Sequence, residues 1–217
     1  MYLNYLDFEK PVVELDAKIE ELRHMGNDSN INILDEIEGL DVKPNELLKK
    51  IFADLNTWEI VQLARHPLRP HAIDYIEQIF TEFDELHGDR MFGDDGAIGV
   101  GDHVMMLQYS IYSVISPEGC ASILWRSPEH AADTAASMKL TAQHALKNKL
   151  INEIIKEPSG GAHRDLPETA QKLKRALLSN LKQLQSESTQ KLLQNRYERL
   201  MFTDIGYKVT KSARAKV

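Results

Sequence analysis

After Pro11, the apolar residues Val12, Leu15, Ile19 and Leu22 recur three or four positions apart, with Glu14, Asp16, Lys18, Glu20 and Glu21 between them. That period predicts an amphipathic helix with one face to bury. Residues 26–30, GNDSN, carry turn chemistry and predict a polar break. A second helix is expected from near Pro44, with Leu47, Leu48, Ile51, Phe52 and Leu55 on one face. Asn56-Thr57 reads as the cap of a third, which carries Trp58, Ile60, Val61 and Leu63 and stops before Pro67. Residues 65–70, RHPLRP, predict an ordered, extended turn. A fourth helix should run through Tyr75, Ile76, Ile79, Phe80 and Phe83, with Glu77, Glu82, Asp84 and Glu85 outward.

The pattern then changes. Residues 91–98 are rich in Gly and Asp and predict a loop entering a strand. From Val104 through Ile115 runs a stretch rich in β-formers, which ends abruptly at Ser116-Pro117-Glu118. Serine suits an N-cap, proline the first helical position, and glutamate the positive end of the helix dipole. Gly119, Cys120 and Ala121 put small residues in that first turn. The expectation is strand, sharp turn, then a helix whose amide end is open to an anion or a developing oxyanion. The plainer alternative is a well-capped helix packed on its own strand. Ser127-Pro128-Glu129 repeats the same start, and a helix from Pro128 should carry Ala131, Ala132, Ala135, Met138, Leu140 and Ala145. Leu150, Ile151, Ile154 and Ile155 follow in what reads as helical sequence. From Leu166 to about Phe202 two further helices are expected, one lined by Leu173, Leu177, Leu178, Leu181 and Leu184, the other by Leu192, Leu193, Tyr197, Leu200 and Met201.

Composition narrows the class. The chain has 217 residues, 42% hydrophobic and 27% charged, as in an ordinary globular protein. Its net charge of −7 argues against general nucleic-acid binding, despite Lys208, Lys211, Arg214 and Lys216 near the end. No stretch is apolar enough to span a bilayer, and the first residues are not a signal peptide. One cysteine permits no internal disulfide, which fits a cytoplasmic location. Cys120 has no Cys or His neighbours at ligand spacing, so no metal site is expected.

Three other clusters invite chemistry. Arg65 and Arg69 could meet phosphates of a coenzyme or a partner's carboxylates, or could be solvated connector charges. His87, Asp89 and Arg90 lie close together, but with no nucleophile nearby a hydrogen-bonded turn is the better reading. Residues 157–164, EPSGGAHR, place Gly160 and Gly161 before His163 and permit close backbone approach to a ligand. Their polarity and position also suit a flexible linker.

The string GVGDHVMMLQYSIYSVISPEGCASILW closely resembles the α subunit of bacterial acetyl-CoA carboxylase carboxyltransferase, near the end of its crotonase-like domain. LNYLDFEKPVVELDAKIEEL, KIFADLNTWEIVQLARHPLRPHAIDYI, FDELHGDRMFGDDGAI, INEIIKEPSGGAHRD and NRYERLM resemble the same subunit in the same order, over nearly the whole chain. The resemblance implies an α/β fold: a partial crotonase/ClpP-like spiral of β-β-α units with extensive N- and C-terminal helices, mostly helical overall. It divides the chain into an N-terminal helical region (1–90), a remnant of the crotonase-like core (91–126) and a C-terminal helical region (127–217). It implies transfer of a carboxyl group from carboxybiotin, carried on a separate biotin carboxyl carrier protein, to acetyl-CoA, giving malonyl-CoA for fatty-acid biosynthesis. It further implies a β-subunit partner in a heterotetramer of two α and two β, with no cofactor bound covalently to this chain.

One departure stands out. Where the family continues through a long block of strands and helices, Gly96-Ala97-Ile98 runs straight into Gly99-Val100-Gly101-Asp102. The missing block includes the family's glycine-rich loop, whose amides are expected to stabilise an oxyanion, and Ala97-Ile98 suits either edge of the gap. No catalytic residue can therefore be carried over. Gly99, Gly101, Ser116, Glu118, Gly119 and Cys120 remain as substrate-contact candidates on the downstream wall. Arg65, Arg69, Gly160, Gly161 and His163 are interface candidates. The missing units should leave apolar faces bare. The alternative function is a truncated, non-catalytic subunit or interaction scaffold.

Overall fold

The computed structural model describes residues 5–28, 34–83 and 101–202. Nine helices and two short strands lie within them: α1 (Lys10–Asp28), α2 (Leu34–Ala53), α3 (Thr57–Ala64), α4 (Ala72–Ile79), β1 (Met105–Leu107), α5 (Pro117–Trp125), α6 (Ala131–Met138), α7 (Ala142–Lys147), β2 (Glu153–Ile155), α8 (Leu166–Gln185) and α9 (Thr189–Phe202). The chain is mostly helical around a small parallel sheet in which Met105, Met106 and Leu107 lie opposite Glu153, Ile154 and Ile155.

Local chemistry explains most helix starts. Asn56 caps α3, its Oδ1 accepting from the Glu59 amide at 3.0 Å while the Glu59 carboxylate accepts from the Asn56 amide at 2.7 Å. Asp165 caps α8 through the Glu168 amide at 2.8 Å. α3, α8 and α9 therefore fall where hydrophobic spacing puts them.

Elsewhere packing overrides pattern. α1 continues through Gly26 to Asp28, across the expected break. α2 begins at Leu34 and carries Pro44 inside it. α4 stops at Ile79; Phe80 is extended, and Phe80 and Phe83 are exposed rather than on a buried helical face. The helix expected from Pro128 is interrupted twice, by a 3₁₀ turn over Pro128–His130 and by Lys139, whose φ of 54° ends α6 in the left-handed conformation. Residues 150–155 are not helical. Lys149 at φ 59° turns the chain out of α7, and the β-branched Ile154 and Ile155 pair with β1.

The β-rich run is the largest correction. Only Met105–Leu107 forms strand, because its ladder partner β2 is equally short. Gln108 donates a last ladder bond to the Ile155 carbonyl at 2.9 Å, then Ser110 turns back on Leu107. The chain next meets the α6–α7 link, with Tyr112 donating to the Leu140 carbonyl at 2.9 Å. α5 is well capped but packs on α6 and the 3₁₀ turn before it. The expected loop over 91–98, Gly99 and the cluster His87, Asp89 and Arg90 lie outside the described residues, as does the basic end of the chain.

Four apolar clusters share the load. Val12, Leu48, Phe52, Ile60, Leu63 and Tyr109 join α1, α2 and α3, with Phe8, Phe52 and Tyr109 meeting edge to face at 5.8 and 5.7 Å. Val61, on the other side of α3, packs with Ala135 and Leu140. Tyr75 and Ile79 meet Ala162 and Ala170, so α4 lies on α8. Ala142, Ala145 and Ile151 back the sheet. α3 thus serves two cores at once, with Val61 and Leu63 fully buried. Replacing Leu63 by Ala should cost about 2–5 kcal/mol in urea unfolding, against less than about 0.5 for Leu193→Ala on the exposed side of α9. Equal effects would contradict this placement.

Candidate functional site

The turn into α5 is built around Ser116. Its Oγ accepts from the Gly119 amide at 3.0 Å, and its carbonyl accepts from the Cys120 amide at 2.9 Å. Pro117 at the first helical position has no amide hydrogen. The Arg65 guanidinium completes the arrangement, donating to Glu118 Oε1 at 2.7 Å. Burial pushes the Glu118 pKa up, but the backbone amide, Arg65 and the Ser116 hydroxyl outweigh it and hold the group below its ordinary value.

Ser116 thus engages the Gly119 and Cys120 amides of that first turn. The expected open amide end is corrected: α5 is anion-compatible by dipole but offers no free donor pair from residues 117–120. Cys120 is half-buried and unpaired with any base. Gly101 sits on the approach to β1. There Asp102 takes a two-point bond from Arg196 at 2.7 and 2.6 Å, and the Gly101 carbonyl accepts from Arg199. Hydrogen bonding to Arg196 lowers the Asp102 pKa and raises that of Arg196. The NRYERLM stretch therefore fastens α9 to the segment just past the junction.

The second site is buried, which overturns the flexible-linker reading of residues 157–164. Glu157, quoted in that stretch but not singled out, is its centre. Its side chain is fully buried and its two oxygens accept four bonds. Arg69 supplies two, at 2.9 and 2.6 Å. The amides of Tyr109 and Ala162 supply the others, at 2.9 and 2.8 Å. Arg69 is therefore satisfied by a carboxylate of its own chain, not solvated as a connector charge. With about four lone-pair sites on a carboxylate, Glu157 has none left to act as a base.

The glycines make this possible. Gly160 and Gly161 have φ of 91° and 90°, and a side chain on Gly160 would run into Arg164. The loop so shaped stacks His163 on His66, ring centres 4.1 Å apart and 19° from parallel. It also aims Arg164 at buried Glu9, 2.7 Å away. Burial first, then His66, lowers the His163 pKa to about 4; Arg164 and Arg69 act the same way against the opposing pull of Glu9. Tyr75 is pushed up to about 12, chiefly by burial. Its hydroxyl, like His163 Nδ1, is buried without a hydrogen-bond partner.

Sequence reading missed Glu157, Glu9, His66 and Tyr75 as a group, since their partners lie far along the chain. The one local signal was a carboxylate directly before Pro-Ser-Gly-Gly, a loop tight enough to turn amides toward it. The structure brings Arg69, Gly160, Gly161 and His163 together and joins Arg65 to Glu118, Ser116, Gly119 and Cys120. None of the candidate residues is paired with a base, whereas the Thr141 hydroxyl meets His144 Nδ1 at 2.9 Å. A cleft of about 560 Å³ lies elsewhere, between Trp58, Asp133, Gln143 and His144, and none of the candidates lines it.

Two outcomes follow from this arrangement. Glu157→Gln leaves Arg69 half-partnered in the interior and should cost about 3–5 kcal/mol in urea unfolding, much of it recovered in the Arg69→Met/Glu157→Leu double variant; a loss under about 1 kcal/mol would contradict the four-bond geometry. For His163, the unfolded imidazole takes a proton near pH 6.5 and the folded one only near pH 4. Stability should therefore be full above pH 6.5 and fall as pH drops towards 4, by about 2 kcal/mol from this group. His163→Gln should flatten that part of the stability–pH curve, and an unchanged slope would exclude His163 as its source.

The chain matches the family described as "Acetyl co-enzyme A carboxylase carboxyltransferase-like" over residues 5–98 and 96–205. It is 36% identical over 309 residues to an acetyl-coenzyme A carboxylase carboxyl transferase subunit alpha of Coxiella burnetii, covering 92% of this chain and 98% of the relative. The corresponding figures are 37% over 314 residues for Vibrio parahaemolyticus, with 93% and 98% covered. For Glaesserella parasuis they are 38% over 312, with 93% and 98%. Since this chain has only 217 residues, about a hundred positions of each relative face a gap. The two matched segments overlap at residues 96–98, the place where Ala97-Ile98 suits either edge.

Proposed function

The chain belongs to the acetyl co-enzyme A carboxylase carboxyltransferase family, and we infer that it serves as that enzyme's α subunit, in the transfer of a carboxyl group from carboxybiotin to acetyl-CoA. The product, malonyl-CoA, feeds fatty-acid biosynthesis. The observation that carries this reading is the ordered match of both halves of the chain to carboxyl transferase α subunits, on either side of one gap. The scaffold alternative is not favoured by it.

The α5 turn limits what this chain does in the reaction. A carboxyl transfer of this kind needs amide donors where negative charge develops. Residues 117–120 have no pair to give, because Ser116 engages the Gly119 and Cys120 amides and Pro117 has no N–H. The residues present therefore do not fit an oxyanion role toward biotin, and no chemical step is assigned to them. Gly101, Ser116, Glu118, Gly119 and Cys120 are instead read as a wall against which substrate rests, Gly99 lying outside the described residues. Arg65, held by Glu118, faces the partner, whereas Arg69, Gly160, Gly161 and His163, engaged within the chain, bear on that interface only through the shape of their loop. The partners are a carboxyltransferase β subunit, in an assembly of two α and two β, and a biotin carboxyl carrier protein that brings biotin to the site. In this reading residues 91–126 are a remnant of a crotonase/ClpP-like spiral between helical regions 1–90 and 127–217. No described helix is long and apolar enough to cross a membrane. On the family reading, the site of action is the cytoplasm.

The test is reconstitution with a β subunit, acetyl-CoA and carboxybiotin. The expected result is a stable complex whose turnover lies at least about a hundredfold below that of an intact α subunit, the order lost when oxyanion donors are removed. Failure to bind the β subunit would overturn the α-subunit assignment. Turnover near that of an intact subunit would overturn the need for the missing amides.

A further inference from the structure

We propose that the cleft between the start of α3, the outer side of α6 and the start of α7 binds an uncharged, flat nitrogen heterocycle of the nucleobase class. Its volume of about 560 Å³ falls within the ~300–1,000 Å³ of small-molecule sites. Trp58 packs on the cluster of Val61, Ala135 and Leu140 and also lines the cleft, which gives it a fixed aromatic wall. Ala132 and Ala136, one turn apart on α6, leave room that longer side chains would fill. The Thr141 hydroxyl meets His144 Nδ1 at 2.9 Å and sets the imidazole in place. Thr141 is buried, so this pair orders the wall rather than offering a nucleophile. A ligand entering here has little left to order, which favours affinity.

The lining selects the ligand by what it offers. An indole wall favours a flat ring. The exposed Gln143 side chain carries a donor and an acceptor side by side, the pair that matches a ring nitrogen next to an exocyclic amine. The Asp133 carboxylate is 84% exposed and meets His130 Nδ1 at 3.7 Å, beyond hydrogen-bond range, so it is open to accept from the same amine. Charge then separates the heterocycle from its ionic relatives. No Lys or Arg lines the cleft, so a phosphate would meet Asp133 without a compensating cation. The starts of α3 and α7 line the same space, and their positive dipole ends oppose a bare cation. The site stands apart from the carboxyltransferase reading, since binding to the chain alone needs neither a β subunit nor turnover.

Adenosine is the probe, and the readout is the indole N–H signal of Trp58 in proton–nitrogen NMR spectra of the full chain. The chain has two tryptophans, and Trp125→Phe assigns their signals. Adenosine should shift the Trp58 signal saturably, with a dissociation constant of about 0.1–1 mM, and leave that of Trp125 unmoved. Gln143→Leu removes the paired donor and acceptor and should weaken binding at least about fivefold. Ala136→Leu fills the space and should abolish binding. Both residues are exposed, so the fold survives, which circular dichroism checks. Adenosine monophosphate should bind no more tightly than adenosine. A Trp58 signal that stays put up to about 10 mM adenosine overturns the proposal. Wild-type affinity in either variant also overturns it, as does tighter binding of the monophosphate, which would mark an anion site.

Discussion

The described structure depends on one buried carboxylate. Glu157 has no exposed side-chain surface, and removing a charge from water costs several kcal/mol unless every lone pair is met. Here each is met, by Arg69 from the turn after α3, by the Tyr109 amide after β1 and by the Ala162 amide of the glycine loop. These three segments are distant in sequence and belong to different apolar clusters. The carboxylate fixes their register as a hydrophobic contact could not, since apolar packing has no direction and hydrogen bonds do.

Neighbouring features follow from that constraint. The loop must bring its Ala162 amide to Glu157, and it does so through two glycines at positive φ. Its onward path sets His163 flat on His66 and turns Arg164 to Glu9, so α1's approach is tied to the same point. Tyr109, held by its amide, stacks edge-on against Phe52 and donates its hydroxyl to the Phe52 carbonyl at 3.2 Å. Sheet, glycine loop and the α1–α3 core thus meet around one ion pair. The α5 turn is separate. Its Arg65–Glu118 pair is about 40% exposed on each side and contributes ~0.5 kcal/mol at most to stability.

Legibility in the sequence tracked how local each cause was. The Asn56 and Ser116 caps act within three residues, and both are where the sequence puts them. The stripes of α1, α3 and α8 likewise need only their own spacing. The strand after Val104 was misread because a strand exists only where a partner continues the ladder, and β2 ends at Ile155. The Glu157 site was invisible as a site, because Arg69 lies 88 positions away and nothing in either neighbourhood names the other. The amide end of α5 differs for the opposite reason: the small residues suggest access, while Ser116, in plain view, engages the Gly119 and Cys120 amides.

Hydrogen exchange at two backbone amides tests the central role of Glu157 most directly. The Tyr109 and Ala162 N–H groups, both bonded to its carboxylate, should exchange only through global unfolding, with protection equal to that of the Leu63 amide in the core. Exchange at either site as fast as at the exposed Val114 amide would mean the carboxylate does not hold these segments together, and would contradict the account.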